Sequence, residues 1–218
     1  DLLIERMWAL GTLGIVEGES TLEVYFDDDF DAAVLADLKP HRIEHEDIDW
    51  IEETKRSFPA MNVGERFFVV PPWSEEATPV GRFRLVINPG QACGTGQHPC
   101  TRLCLQALER HVKPGMRVLD VGAGSGILSL AAGMLGASVV VSCDIDDETM
   151  THCEGPLRYT GSAEAMAGGE FDLVVSNIGA EVNRALLPEF RRVMRAGGIV
   201  ILSGYEQPLN LPSSLQAL

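Results

Sequence analysis

Residues 118–126 read Val118-Leu119-Asp120-Val121-Gly122-Ala123-Gly124-Ser125-Gly126, an apolar run followed by three glycines at alternate positions. The apolar run predicts a buried parallel strand, and residues 127–135 predict a helix directly after the glycines. Glycine at such a turn permits positive φ and lets a ligand approach the backbone closely. The first N–H groups of the helix are then available to that ligand. For the glycines alone, a tight turn without a ligand is the alternative.

Two acidic residues accompany this turn. Asp120 lies just before it, and Asp144 ends the next apolar run, 18 residues after Gly126. The glycine spacing is G-x-G-x-G, not the dinucleotide-binding G-x-G-x-x-G, and a carboxylate under the turn suits a cationic or amine-bearing ligand better than a pyrophosphate. The second acid has nearly the spacing expected of a carboxylate that accepts both ribose hydroxyls. Together these features resemble the nucleoside-methionine site of class I methyltransferases, which use S-adenosylmethionine (SAM).

Strand and helix patterns alternate along residues 112–205 in the order β-α-β-(α)-β-α-β. The third strand is predicted at 171–177, a helix at 181–194 and the last strand at 199–203, after a turn at 196–198. Such alternation is typical of a parallel sheet covered by helices, and ligands bind outside the carboxyl ends of its strands. Three residues fall at such ends: Gly122, Asp144 and Asn177. The predicted fold class is therefore α/β with a Rossmann-like sheet, and the resemblance of the glycine turn implies the sheet of a class I methyltransferase.

The chain before this sheet divides into two segments. Residues 1–58 predict a small N-terminal α+β domain, incomplete in length, that serves in substrate recognition or packing. Residues 59–92 predict a connector with a strand pair or hairpin, and residues 93–218 the SAM-binding domain, incomplete at its C-terminus. The individual elements expected in the first two segments are a helix at 2–10, strands at 21–26, 65–70 and 82–87, and a helix at 32–38.

Charge and cysteine content limit the partners. The net charge is −15, and residues 1–60 carry 16 of the 32 acidic residues but only 5 of the 17 basic ones. This balance argues against direct nucleic-acid binding and suits a basic protein partner, although a solvated acidic face is the commoner interpretation of such charge. Five cysteines without a C-x-x-C pair indicate a reduced, cytoplasmic setting and no metal site. No apolar run of 18 residues predicts a membrane span.

Residues 90–101 form a polar, glycine-rich segment that opens a helix running to about His111. Its hydroxyl and imidazole groups lie close in sequence to the glycine turn, and loops of this kind on a rigid scaffold often carry function. A plain surface loop is the alternative.

The chain resembles the PrmA family of bacterial methyltransferases, which modify large-subunit ribosomal protein eleven. The resemblance covers most of residues 49–207 and is weaker before residue 49. The matching stretches are Asp49-Trp50-Ile51, Pro71-Pro72-Trp73, Asn88-Pro89-Gly90, Gly94-Thr95-Gly96-Gln97-His98, Val118 to Gly126, Asp144-Ile145-Asp146 and Asp172 to Ile178.

The resemblance implies SAM-dependent methylation of lysine ε-amines and of an N-terminal α-amine in a ribosomal protein. Its implied cofactor-binding residues are Thr95, Gly96, His98 and Thr101 over the methionine end, Asp120, Gly122 and Gly124 along the amino-acid moiety, Asp144 at the ribose, and Asn177. Asn177 also holds the implied catalytic position beside the methyl group and the incoming amine. Cys93 and Cys100 depart from the family, which usually has Phe and a hydroxyl residue there.

Two rival functions are compatible with the same sequence. One is a class I methyltransferase acting on a small molecule, and the other is an inactive nucleotide-binding scaffold. The oligomeric state and the methylated positions are left open. The chain begins without Met, the connection from Asp144 to Leu157 is short for a crossover, and only 13 residues follow Tyr205. Omitted segments are expected at the latter two places.

Overall fold

The computed structural model describes residues 2–18, 21–27, 30–41, 57–88 and 96–205. Contacts divide the chain into two units, Asp1–Ile48 and Asp49–Leu218. Several residues singled out from the sequence lie outside the described ranges: Trp50, Gly90, Cys93, Gly94 and Thr95. The same is true of the residues after Tyr205.

The first unit contains helix α1 (Leu2–Ala9), an antiparallel pair of strands, β1 (Gly14–Glu17) and β2 (Leu22–Tyr25), and a helix at Ala32–Leu38. Strand β1 was not predicted, because its sequence Gly14-Ile15-Val16-Glu17 does not alternate between apolar and polar residues. The helix at Ala32–Leu38 is a 3-10 helix and not the ordinary helix expected. It spans only seven residues and ends before Lys39, which has φ of 49°. Lys39 directly precedes a proline, and this position disfavours helical backbone.

The second unit begins with a small sheet of three strands, β3 (Met61–Val63), β4 (Phe67–Val70) and β5 (Phe83–Val86). Strands β3 and β4 are antiparallel, whereas β4 and β5 are parallel, with Phe67 opposite Phe83. The two strands predicted at 65–70 and 82–87 are therefore paired but do not form a hairpin, and the hairpin within residues 59–92 is the one formed by β3 and β4. About a dozen residues separate β4 from β5, which is long enough to return the chain to the start of β4.

The main sheet has five strands, all parallel, in the order β10-β9-β6-β7-β8. This confirms the predicted parallel α/β architecture. Its elements follow in chain order: α2 (Pro99–His111), β6 (Arg117–Val121), α3 (Ile127–Met134), β7 (Val139–Asp144), α4 (Asp147–His152), β8 (Leu157–Thr160), β9 (Phe171–Ser176), α5 (Ala180–Val193) and β10 (Met194–Leu202).

Both faces of this sheet are buried. Val118 of β6 belongs to the core that α2 and α3 cover, whereas the next residue, Leu119, belongs to the core that contains Phe190 of α5. Successive side chains of a strand point to opposite faces, so an unbroken apolar run is what a doubly covered strand requires. The run at 118–121, which is apolar except for Asp120, was therefore a sound basis for predicting a parallel strand.

The last strand differs from the sequence prediction. Strand β10 already begins at Met194, and its pairing with β9 shifts register between Met194 and Ile199. The predicted turn at 196–198 is an irregularity inside this strand, where Gly197 has φ of 78°. The crossover after Asp144 contains one six-residue helix, α4.

Candidate active site at the carboxyl ends of the sheet

The glycine turn after β6 has a backbone that other residues would strain. Gly122, Gly124 and Gly126 have φ of 71°, 54° and 81°. A Cβ on Gly122 would overlap the side chain of Ile178, and one on Gly126 would lie 2.8 Å from the backbone nitrogen of Glu154. The turn is thus closed by neighbours on two sides, and only glycine fits at both positions.

Asp144 is the last residue of β7 and is tied to this turn. Its Oδ2 accepts a hydrogen bond from the Gly124 nitrogen at 3.1 Å, and its Oδ1 accepts one from the Asp146 nitrogen at 3.2 Å. Each carboxylate oxygen keeps further acceptor capacity. The side chain is half-buried, and the next residue, Ile145, is 83% exposed. The structure therefore places an oriented carboxylate beside the glycine turn, with an apolar side chain next to it in sequence.

Asp120 lies in the interior of β6 and is fully buried. Its Oδ2 accepts from Ser129 Oγ at 2.7 Å, and Ser129 in turn shares a hydrogen bond of 2.6 Å with Ser142. Among the described residues, its Oδ1 has no hydrogen-bond partner. Burial raises the pKa of Asp120 to about 6, against the opposing effect of the hydrogen bond from Ser129. A buried carboxylate oxygen without a partner favours a cation or a hydrogen-bond donor nearby.

Asn177 follows β9 and connects three elements. Its Nδ2 donates to Thr101 Oγ1 of α2 at 3.1 Å, and its Oδ1 accepts from the hydroxyl of Ser203, which follows β10. Thr101 is buried, whereas Asn177 and Ser203 are half-buried. The next residue, Ile178, packs on Gly122, so Asn177 and the glycine turn adjoin. The geometry holds the Asn177 amide in one orientation.

The segment before α2 is described from Gly96 onward. Gly96 has φ of 82°, and a Cβ there would lie 3.0 Å from Val69 and 3.2 Å from Ile127. His98 caps α2, since its Nδ1 accepts from the Cys100 nitrogen at 3.3 Å, and Pro99 takes the first helical position. His98 is exposed. Both residues therefore shape the start of the helix that carries Thr101.

A second asparagine clamps the loops after β9 and β10. The side chain of Asn183 in α5 is fully buried, and its Nδ2 donates to the backbone carbonyls of Ile178 at 3.2 Å and Ser203 at 3.0 Å. It thereby fixes the two backbone segments that flank Asn177.

Four polar residues of this region were missed in the sequence: Ser129, Ser142, Asn183 and Ser203. Ser203 could have been noticed in the sequence, because it is a polar residue at the end of an apolar run, as Asn177 is. The other three are polar residues within apolar or amphipathic elements, and nothing in a single sequence shows which of them face a buried carboxylate or a loop.

Comparison with known proteins identifies the family. The sequence model of the family described as ribosomal protein L11 methyltransferase (PrmA) matches residues 19–207. The chain belongs to this family. A ribosomal protein L11 methyltransferase from Syntrophotalea carbinolica is 34% identical over 252 aligned positions, which cover 94% of this chain and 82% of that protein. One from Deinococcus radiodurans is 36% identical, with coverage of 92% and 78%.

A solved structure agrees with these relatives. The crystal structure of a ribosomal protein L11 methylase from Lactobacillus delbrueckii subsp. bulgaricus is 36% identical and superposes with a TM-score of 0.60, over 66% of this chain and 79% of that one. Family membership confirms three predictions from the sequence: the class I methyltransferase fold, an enzyme of the methyltransferase class, and SAM as its cofactor.

Two features are absent from the described ranges. None of the helices described is long and apolar enough to cross a membrane. Likewise, no group of three or more His, Cys, Asp or Glu side chains in those ranges is placed to hold a metal ion.

Proposed function

We propose that this protein transfers methyl groups from SAM to amines of ribosomal protein L11, namely lysine ε-amines and the N-terminal α-amine. The observation that carries the proposal is the meeting of the glycine turn with Asn177, brought about by the packing of Ile178 on Gly122. A cofactor site and an amide that can orient an amine are thereby adjacent. The names of the relatives support L11 as the substrate.

The residues present fit SAM. The cofactor is cationic at its sulfonium and its ammonium group, and the turn offers Asp120, whose buried Oδ1 has no partner in the described ranges. Asp144 suits the ribose hydroxyls, because its carboxylate is already oriented by the nitrogens of Gly124 and Asp146. Thr95, Gly96, His98 and Thr101 are proposed to cover the methionine end, although Thr95 lies outside the described residues. When bound, SAM supplies an electrophilic methyl group that needs no metal for its transfer.

The protein must present the attacking amine in its neutral form. A lysine with a pKa of about 10.4 costs roughly 4.6 kcal/mol to deprotonate at pH 7. The Oδ1 of Asn177 has a second lone pair with which to accept a hydrogen bond from the amine. The described partners of Asn177 are the hydroxyls of Thr101 and Ser203, and neither is a general base. Asn177 therefore acts by orientation, which is the main contribution a protein makes to such a displacement.

The rest of the proposal concerns partner and setting. Residues 1–58 hold most of the excess negative charge and are proposed to recognise the basic ribosomal protein. Cys100, Cys104, Cys143 and Cys153 are all free thiols, which supports a reduced, cytoplasmic setting.

Mass spectrometry of L11 after incubation with the protein and SAM tests the function. We expect mass increases in steps of one methyl group, located on lysine and N-terminal peptides, and none on an unrelated basic protein treated in the same way. An L11 that stays unmodified while SAM is bound would overturn the substrate assignment. Modification of small amines in place of L11 would favour the small-molecule alternative.

The cofactor site has its own test in Asp144→Ala. Loss of a charged acceptor of two hydroxyls costs roughly 1.5–3 kcal/mol per bond, so SAM should bind at least about tenfold more weakly. Asp147→Ala is the matched control, because Asp147 lies three residues after Asp144 and accepts a hydrogen bond from the Thr160 hydroxyl, not from the turn. Calorimetry that gives equal SAM affinity for wild type and Asp144→Ala would remove Asp144 from the site.

A further inference from the structure

The second unit contains an open cleft that none of the proposed cofactor residues lines. Its volume is about 380 Å³, within the range of small-ligand sites. It lies between the segment before β3 and the connection that follows β4. Its lining includes two aromatic residues, two prolines and two glutamates: Phe58, Trp73, Pro59, Pro71, Glu75 and Glu76.

The lining of the cleft combines aromatic rings with carboxylates. Phe58 and Trp73 are half-buried, and Glu75 and Glu76 are exposed. In the described part of the chain, neither glutamate side chain takes part in an ion pair or a hydrogen bond. Aromatic faces and carboxylates both attract a cation, and a tryptophan face does so best among the rings.

Arg84 holds the wall of this cleft in place. Its guanidinium donates to the backbone carbonyls of Ser74 and Glu76, each at 2.6 Å, and lies 5.9 Å from the centre of the Phe68 ring. These contacts use backbone oxygens, so the carboxylates of Glu75 and Glu76 remain available. Because this wall carries two carboxylates and one guanidinium, its net charge is negative. The hydrogen bonds from Arg84 fix its backbone before any ligand binds.

The cleft has a smaller cavity beside it that borders the segment before α2. Phe58 and Pro71 also line a smaller cavity of about 10 Å³, which Gln97 lines from the other side. Gln97 Nε2 donates to the carbonyl of Ser57 at 2.7 Å, and the next residue, His98, caps α2. The cleft therefore shares wall residues with a cavity that borders the segment leading to His98 and Thr101.

We propose that this cleft binds the side chain of a lysine or arginine that flanks the methylated amine in the substrate protein. The inference rests on the proposed function and adds a specificity determinant to it. A ribosomal protein binds RNA and is rich in such side chains. Carboxylates favour a cation that keeps its N–H groups, so an unmethylated lysine or an arginine fits better than a trimethylated lysine.

Variants of the cleft test this by steady-state kinetics with L11. Trp73→Ala and Glu75→Gln/Glu76→Gln should each raise KM for L11 by roughly three- to thirtyfold, as loss of a cation site predicts. The value of kcat should stay within about twofold and SAM affinity should not change, because no cofactor residue is altered. Trp73→Phe keeps an aromatic ring and should keep the KM for L11 close to the wild-type value. Glu65→Gln is the control for charge alone, because Glu65 is an exposed glutamate two residues before β4.

Direct binding separates this inference from the proposed function. A capped peptide with one lysine, its glutamine counterpart and its trimethyllysine counterpart are titrated into the full chain by calorimetry. We expect binding of the lysine peptide only, weakened in Trp73→Ala and in the double glutamine variant, whether or not L11 is methylated. Equal binding of the glutamine peptide, tighter binding of the trimethyllysine peptide, or unchanged KM in both variants would overturn the cleft assignment while leaving the methyltransferase function intact.

Discussion

Asp120 keeps a carboxylate in the centre of the sheet, where water does not reach it. Burial raises its pKa from 3.8 to about 6, so the folded protein holds this proton to a higher pH than the unfolded chain does. Between about pH 4 and pH 6 the unfolded state therefore binds fewer protons, and the free energy of unfolding falls as the pH rises. The two-unit difference corresponds to a loss of about 3 kcal/mol by pH 7. A residue that we propose to face a cationic ligand thus lowers the stability of the protein without that ligand.

Asp120→Asn removes this titration and tests it at the level of one residue. Relative to wild type, the variant should gain up to about 3 kcal/mol of unfolding free energy between pH 4 and pH 7, and it should bind SAM more weakly. Urea unfolding at pH 4, 5, 6 and 7 measures the difference, in which the other titrating groups cancel. A stability difference that does not change with pH would show that the carboxyl group titrates normally.

At the scale of elements, one hydrogen-bonded chain joins a helix and two strands. Thr101 of α2, Asn177 after β9 and Ser203 after β10 are linked through the amide of Asn177. Each end of that amide has a partner on a different element, so its orientation depends on how α2 and β10 pack beside β9. The orientation of the Asn177 amide is therefore a property of the assembled sheet and not of the loop that carries this residue.

Ser203→Ala tests this dependence. It leaves the Asn177 amide with Thr101 alone, and we expect kcat on L11 to fall by roughly tenfold, with SAM affinity within about twofold and a stability loss of about 1 kcal/mol. Ser138→Ala is the matched control: its hydroxyl donates to the carbonyl of Gly115 at 2.7 Å, in a turn that precedes β7. The control should lose similar stability and keep its kcat. Equal kcat in the two variants would mean that Ser203 has no role in orientation.

At the scale of the whole molecule, the chain consists of two units, and the proposed chemistry lies entirely in the second. The first unit has its own buried residues, Met7 and Leu35, and an internal ion pair between Arg6 and Asp37 at 2.6 Å. Division of labour between substrate recognition and methyl transfer is consistent with the acidic charge concentrated in residues 1–60.

Deletion of residues 1–48 tests that division. The shortened protein should bind SAM with an affinity within about twofold of the full chain and should lose methylation of L11, because the cofactor residues are retained and the recognition segment is not. Circular dichroism must first show that the remainder is folded. If it methylates L11 as fast as the full chain does, the recognition role of the first unit is refuted.

Whether a feature of the fold or of the site could be predicted from the sequence depends on its physical origin. The parallel sheet was predictable because doubly buried strands such as 118–121 are almost entirely apolar, with Asp120 as the exception in this one. The meeting of Gly122, Asp144 and Asn177 was predictable because carboxyl ends of parallel strands share one edge. The pairing of β4 with β5 was not, since a crossover and a hairpin have similar local patterns. The contact between Asp120 and Ser129 was not either, because it depends on which face of α3 turns toward β6.

The clamp made by Asn183 has a consequence for the amino acids this position accepts. Its two N–H groups meet the carbonyls of Ile178 and Ser203 inside a fully buried space. Aspartate has the same shape but would set a charge against two carbonyl oxygens, and leucine would leave both oxygens without a donor. Glutamine carries the right group one methylene too far into a packed interior. In a library of all twenty amino acids selected for methylation of L11, position 183 should return asparagine almost alone, although its side chain is not proposed to touch either substrate.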